Sequence, residues 1–271
     1  MCPAKSRKAC LCHLFRYYFP LRRYLVAYDP ASKLDLPVLV LCGGDGTRLQ
    51  SLGLDVPKPL APIQGIPFCD YIVEKLKREG FSRIIFLVGR QHLLFAEYLQ
   101  GSSVEHLTSQ HKLGTGGAVK HAFEQLKLQR ALVINGDTYF RYPLSRFARQ
   151  ATGLMDEGSL SVVVASILVD TDSEAGRLSV REDGCVEAWI RSRDKEMRLV
   201  NAGAYLVGET AFSELIEDSK FSLEDDVCKT LISSSLLGAA QIEGEFIDIG
   251  VPGTYQEAQA LIPRWHQDDL T

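Results

Sequence analysis

Leu39-Val40-Leu41-Cys42-Gly43-Gly44-Asp45-Gly46-Thr47-Arg48-Leu49, followed by Pro57-Lys58-Pro59-Leu60, is the stretch that decides the fold. The apolar run predicts a buried parallel strand over Val38–Cys42. It empties into three glycines, which let a backbone turn sharply and bring N–H groups close to a ligand. Arg48 and Lys58 add fixed positive charge, and the prolines on either side of Lys58 restrict the directions it can reach. This is chemistry for an anion with several charges, and a nucleoside triphosphate fits it best. The spacing fits neither the Walker loop, which ends in Gly-Lys-Ser/Thr, nor Gly-x-Gly-x-x-Gly. A bare strand-to-loop turn would explain the glycines alone, but not the proline-clamped lysine.

Working outward, hydrophobic periodicity alternates strand and helix, which predicts an α/β fold with helices on both faces of a parallel sheet. Helices are expected near 67–77, 93–99, 118–126, 144–155, 210–217, 223–233 and 254–261. Strands are expected near 83–88, 104–107, 131–134, 160–168, 200–207 and 246–249. A hairpin is expected around Asp183-Gly184. Gly114-Thr115-Gly116-Gly117 opens a helix and would offer free N–H groups to an anion or a base edge. Asn135-Gly136-Asp137 closes an apolar strand, at the end where open α/β sheets bind ligands.

The 271 residues suit one large α/β domain, and no apolar stretch is long enough for a membrane helix. The net charge is −4, yet residues 1–28 carry six basic side chains and no acid. The remaining body is therefore acidic, which argues against nucleic-acid binding. The basic, aromatic head (1–36) is expected to lie outside the fold, with the domain at 37–263 and a tail at 264–271. The seven cysteines show no paired metal or disulfide spacing, and Cys42, Cys69 and Cys228 sit in apolar contexts. Unpaired thiols and the lack of a secretion signal predict a cytoplasmic protein. His106, His111 and His121 have no acid or cysteine at ligand spacing, so no zinc site is expected.

Gly43-Gly44-x-Gly46-Thr47-Arg48-Leu49 with Pro57-Lys58-Pro59 resembles the signature of the sugar-1-phosphate nucleotidylyltransferases. Leu113–Ala118, Asn135-Gly136-Asp137, Asn201-Ala202-Gly203-Ala204-Tyr205 and Ile247-Asp248-Ile249-Gly250 match further segments in order. Phe221-Ser222-Leu223-Glu224 and Phe246–Pro252 look most like the heptose 1-phosphate guanylyltransferases of that family. The resemblance implies a Rossmann-like (GT-A-like), mostly parallel sheet with a small sugar-binding β subregion. It implies transfer of a nucleoside monophosphate from an NTP to a sugar 1-phosphate, with GTP and D-glycero-D-manno-heptose 1-phosphate as the specific expectation. Mannose or glucose 1-phosphate, and a catalytically weak nucleotide-sugar-binding regulator, stand as alternatives. A glycosyltransferase is disfavoured, since Asn135-Gly136-Asp137 is not its Asp-x-Asp motif.

The same resemblance distributes roles. Arg48 and Lys58 would hold the phosphates. Gly43, Gly44, Gly46 and Thr47 would line the nucleotide, and Gln110, Gly114, Thr115 and Gly116 would face its base or ribose. Asn201, Gly203 and Arg191 would face the sugar. Asp137 and Asp248 would hold Mg2+, which prefers one or two carboxylates supplemented by water and phosphate. Asp45, a carboxylate beside a triphosphate, should point away. Trp189-Ile190-Arg191-Ser192 departs from the family's Phe-x-Glu-Lys, removing an acceptor and a cation from the sugar side. The expected partners are the two small substrates, with no nucleic acid or membrane span. The oligomeric state is left open between monomer and homo-oligomer.

Overall fold

The structure is a computed structural model that describes residues 34–43, 49, 52–54, 56–89, 91–109, 111–169, 176–191, 199–213 and 220–268. Among them the strands are β1 (Val38–Leu41), β2 (Pro62–Ile63), β3 (Ile66–Pro67), β4 (Ile84–Val88), β5 (Glu105–Thr108), β6 (Arg130–Asn135) and β7 (Thr138–Phe140). They continue with β8 (Val162–Leu168), β9 (Gly176–Val180), β10 (Val186–Arg191), β11 (Leu199–Gly208), β12 (Leu237–Gln241) and β13 (Phe246–Asp248). The helices are α1 (Phe68–Arg78), α2 (His92–Tyr98), α3 (Gly114–Leu126), α4 (Leu144–Glu157), α5 (Lys229–Ser233) and α6 (Pro252–Asp268).

The main sheet runs β10-β9-β11-β6-β1-β4-β5, with β8 pairing β11 and β12 pairing β8. The β5-β4-β1-β6 half is parallel, as the apolar strands predict. β11 runs antiparallel to β6, β8 and β9, so the second half is mixed. Alternation along β1 sends Val38 and Val40 into a core with Phe68, Ile72 and Phe147, and Leu39 into another with Val119, Phe123 and Leu223. Helices therefore cover both faces. No described helix is long and apolar enough to cross a membrane.

Three expectations change. The helix expected from residue 223 is instead a wide turn, Leu223–Cys228, in which Val227 N–H donates to the carbonyl of Ser222, and only then α5. Of the helix expected at 210–217, the described part is a single tight turn, Glu209–Phe212. The helix expected to stop at Leu261 continues through Pro263 to Asp268 and buries Trp265 and His266, so residues 264–268 belong to the domain rather than to a tail. Pro263 has no N–H for the carbonyl of Gln259, and Gln64 Nε2 donates to that carbonyl instead at 3.0 Å.

Candidate active site

The carboxyl ends of the four parallel strands open onto a cavity of about 930 Å³. Leu41 to Gly43, Leu87 to Gly89, Leu107 to Ser109 and Asn135 to Asp137 form its strand-end wall. This is where an open parallel sheet places its ligand.

Lys58 enters from a tight turn, Lys58–Leu60, closed by Leu60 N–H on the carbonyl of Pro57 at 2.8 Å and anchored by buried Pro59. Its Nζ lies 2.9 Å from Asp137 Oδ2, with side-chain exposures of 20% and 30%. Asp137 and Asp248 are 111 residues apart in sequence and neighbours in space. β7 and β13 pair antiparallel with Asp248 opposite Thr138, and Ile249 N–H donates to the carbonyl of Asp137 at 2.8 Å. Asp248 Oδ1 accepts from the N–H of Gly250 at 2.8 Å. A Cβ on Gly250 would stand 2.7 Å from Asp248 Oδ1 and 3.4 Å from Lys58 Nζ, so a side chain there would crowd the carboxylate and touch the ammonium. Asp248 itself is not part of the cavity wall.

The α3 start behaves differently from its sequence expectation. Gly116 N–H and Gly117 N–H are not free: both donate to the carbonyl of Phe221, at 3.0 and 3.4 Å. Thr115 Oγ1 accepts from Leu223 N–H at 2.9 Å. A Cβ on Gly114 would meet the Phe221 carbonyl oxygen at 2.3 Å, which explains a glycine there beyond its positive φ of 74°. Gly114 and Thr115 line the cavity, and Gly116 does not.

On the opposite side, the register of β11 against β8 shifts between Asn201 and Tyr205, around Gly203 at φ 82°. The shift lets Asn201 Nδ2 donate to Tyr205 Oη at 2.7 Å and to Glu224 Oε1 at 2.8 Å. Asn201 Oδ1 accepts from Gly203 N–H at 2.9 Å. Tyr205 Oη donates to Glu224 Oε1 at 2.6 Å, and burial together with the Glu224 charge pushes this phenol well up. Asn201 and Gly203, expected to touch sugar, are thus engaged in this network and do not line the cavity, whereas Tyr205 and Glu224 do.

Gly43, Lys58, Asp137, Gly114 and Thr115 are therefore brought together around one cavity, with Asp248 directly behind. Gly44, Asp45, Gly46, Thr47, Arg48, Gln110, Ser192 and residues 1–33 lie outside the described residues, as does the side chain of Arg191. Sequence reasoning assigned no role to Asn135, His92, His121 or Glu224, all of which line the cavity. Asn135 and Glu224 stood inside quoted motifs, while nothing in the spacing of the histidines marked them. Cys42 also reaches the wall, with its thiol pushed up by burial and by neighbouring Cys69 and Asp137. Among the described residues no group of three or more His, Cys, Asp and Glu side chains is spaced to hold a metal ion.

The nucleotidyl transferase family matches residues 37–264. The D-glycero-alpha-D-manno-heptose 1-phosphate guanylyltransferase of Campylobacter jejuni is 32% identical, covering 81% of this chain and 97% of that one. Its counterpart from Aneurinibacillus thermoaerophilus is 29% identical, covering 83% and 97%. The crystal structure of HddC from Yersinia pseudotuberculosis complexed with GMP-PN superposes with a TM-score of 0.69 at 27% identity, covering 83% of this chain and 98% of that one. A strand-end cavity holding Lys58 beside Asp137, on a chain matched over most of its length, leads to one assignment: the protein belongs to the nucleotidyl transferase family.

Proposed function

We propose that this chain transfers a nucleoside monophosphate from an NTP to a sugar 1-phosphate, releasing pyrophosphate and forming a nucleotide sugar, with GTP and D-glycero-α-D-manno-heptose 1-phosphate as its substrates. The observation that carries this reading is Lys58 held 2.9 Å from Asp137, with Asp248 on the adjoining strand, at the carboxyl ends of parallel strands. Guanylyltransferase relatives matched over nearly their whole length support the choice of base and sugar.

The chemistry is an in-line displacement. A phosphate oxygen of the sugar 1-phosphate bonds to the α-phosphorus of GTP, the α–β bridging P–O bond breaks, and pyrophosphate leaves with that electron pair. Two polyanions must meet, so positioning and charge neutralisation carry the rate. Lys58, on a turn stiffened by two prolines, offers three N–H donors and one positive charge to the phosphates near the reacting phosphorus. In the free protein its ammonium is held by Asp137, which keeps it extended toward the cavity. Arg48 and the backbone of Gly43, Gly44, Gly46 and Thr47 take the remaining triphosphate charge in this proposal, with Gln110, Gly114 and Thr115 on the base side.

Asp137 and Asp248 suit a hard divalent cation. Asp137 immediately precedes β7 and Asp248 ends its partner β13, with only Asp137 at the cavity, and such a pair leaves places for water and phosphate. Mg2+ bound there would screen the triphosphate charge. Since the reaction consumes nucleoside triphosphate and carries no membrane requirement, we place it in the cytoplasm.

The test is formation of GDP-heptose from GTP, Mg2+ and heptose 1-phosphate, followed by mass spectrometry. Product formed by the wild type and lost in Asp137→Asn supports the reading. Nucleotide-sugar binding without turnover in the wild type would replace it with a regulatory role.

A further inference from the structure

Asp137 and Asp248 reach their places by different routes. Asp137 follows Gly136, whose N–H donates to the carbonyl of Leu41 at 3.1 Å, so it is tied to the main sheet. Asp248 closes β13, which pairs with β7 in a separate two-stranded ribbon. The two strands share three residue pairs, too few to hold a ribbon in place unaided. The position of Asp248 relative to Asp137 therefore depends on what grips the ribbon.

The last turn of α6 grips it. His266 Nδ1 lies 3.2 Å from the hydroxyl of Tyr139, a residue paired with Ile247, the neighbour of Asp248. Tyr139 is 1% exposed and His266 8%, so water competes little for this bond. The Trp265 ring centre lies 5.9 Å from the Arg141 guanidinium, and Asp268 Oδ2 accepts from Arg141 at 3.3 Å. The same histidine is anchored on α1. Its Nε2 is 2.9 Å from Glu74 Oε2 and 3.0 Å from Arg78 Nη2, and the Tyr71 ring meets it edge-on. One ring nitrogen thus faces the ribbon and the other faces α1. The continuation of α6 past Pro263 gains a purpose from this, since a helix ending at Leu261 would present neither Trp265 nor His266.

We infer that His266, acting through Tyr139, is a positioning residue for the two carboxylates: it holds the β7–β13 ribbon so that Asp248 stands beside Asp137. This rests on the proposed divalent-cation site.

The test reads metal binding without turnover. Mn2+, a paramagnetic stand-in for Mg2+ at oxygen ligands, is titrated into the full chain with and without GTP, and free ion is counted by its EPR signal. Wild type, Tyr139→Phe, His266→Gln and the double variant are compared, with Asp137→Asn marking ion bound elsewhere. Phenylalanine keeps the buried ring and removes only the hydroxyl. Glutamine keeps a polar group near the place of Nε2 and leaves Nδ1 without a substitute. Each single variant is expected to weaken the Asp137-dependent site about 10-fold, the lower end for groups that orient metal ligands, and the double variant is expected to weaken it no further. Met155, whose methyl lies against Gly208 opposite Arg130, is at the far end of β6 from the site. Met155→Ala is expected to lower the unfolding midpoint and to leave Mn2+ affinity within about 2-fold. Thermal melts confirm that each protein is titrated folded. Wild-type affinity in either single variant, additive losses in the double variant, or an equal loss in Met155→Ala overturns the inference and leaves the transfer reading standing. A wild type that binds Mn2+ no better than Asp137→Asn overturns the metal site and the inference together, and formation of GDP-heptose then decides the transfer reading by itself.

Discussion

Lys58 meets Asp137 because proline stands on each side of it and the turn it starts is closed by its own backbone. A part-exposed ion pair of this kind contributes little to stability, on the order of 1 kcal/mol or less. Its placement therefore matters more to chemistry than to folding. Asp137→Asn and Lys58→Ala should each lower kcat by about 100-fold or more, as loss of a preorganised charge does, while the unfolding midpoint moves by no more than about 2 °C. Steady-state kinetics beside a thermal melt check this, and a large drop in midpoint would recast the pair as structural. At this scale the sequence singled out Lys58, Asp137 and Asp248, because each sits at a strand end or between prolines, and the fold brings the three together. It did not disclose that Glu224 lines the cavity, because its partners Asn201 and Tyr205 are 23 and 19 residues away and the hydrogen bonds among them leave no local pattern.

The α3 start shows how an element can be read correctly and its purpose read only in part. Its glycines mark a helix N-terminus, as the spacing predicts, but the N–H groups of Gly116 and Gly117 are spent on Phe221. Gly114→Ala should destabilise the protein by about 2 kcal/mol or more, since it combines backbone strain at positive φ with a contact of 2.3 Å to a carbonyl oxygen. Thr115→Val, which strips Leu223 N–H of its acceptor, should cost about 1–3 kcal/mol. Urea unfolding of the two variants measures both, and values within a few tenths of wild type would contradict the docking described here. Elements built on apolar periodicity, such as β1, β4 and α1, were legible. β12 was not: Leu237–Gln241 is rich in small residues, and Gly238 is there because a Cβ would meet Leu160 at 2.5 Å. The length of α6 was also hidden, since Pro263 reads as a stop and its rescue by Gln64 comes from a hairpin 199 residues earlier.

For the molecule as a whole, strand–helix alternation gave the layered α/β architecture but not the direction of β11, because alternation does not fix strand polarity. The two faces of the sheet also bury Cys42, Cys69 and Cys228, and burial pushes all three thiols above the ordinary value of 9.0, Cys69 to about 12. The folded state then keeps protons that the unfolded chain releases. The contribution is complete below pH 9 and is lost as pH rises above it. Stability should fall between about pH 9 and pH 10 by up to about 1.4 kcal/mol per pH unit for each buried thiol, and Cys228→Ala should shallow that slope by one thiol's share. Denaturation curves across this range check the sign, and stability that is flat or rising there would contradict the burial.

The measurement that bears most directly on the central claim is pyrophosphate release with Mg2+ across a grid of GTP, ATP, CTP, UTP and dTTP against heptose, mannose, glucose and N-acetylhexosamine 1-phosphates. The account predicts release that requires both substrates and is greatest for GTP with D-glycero-α-D-manno-heptose 1-phosphate. Folded protein that releases no pyrophosphate in any combination, or releases it equally without the sugar phosphate, would contradict it.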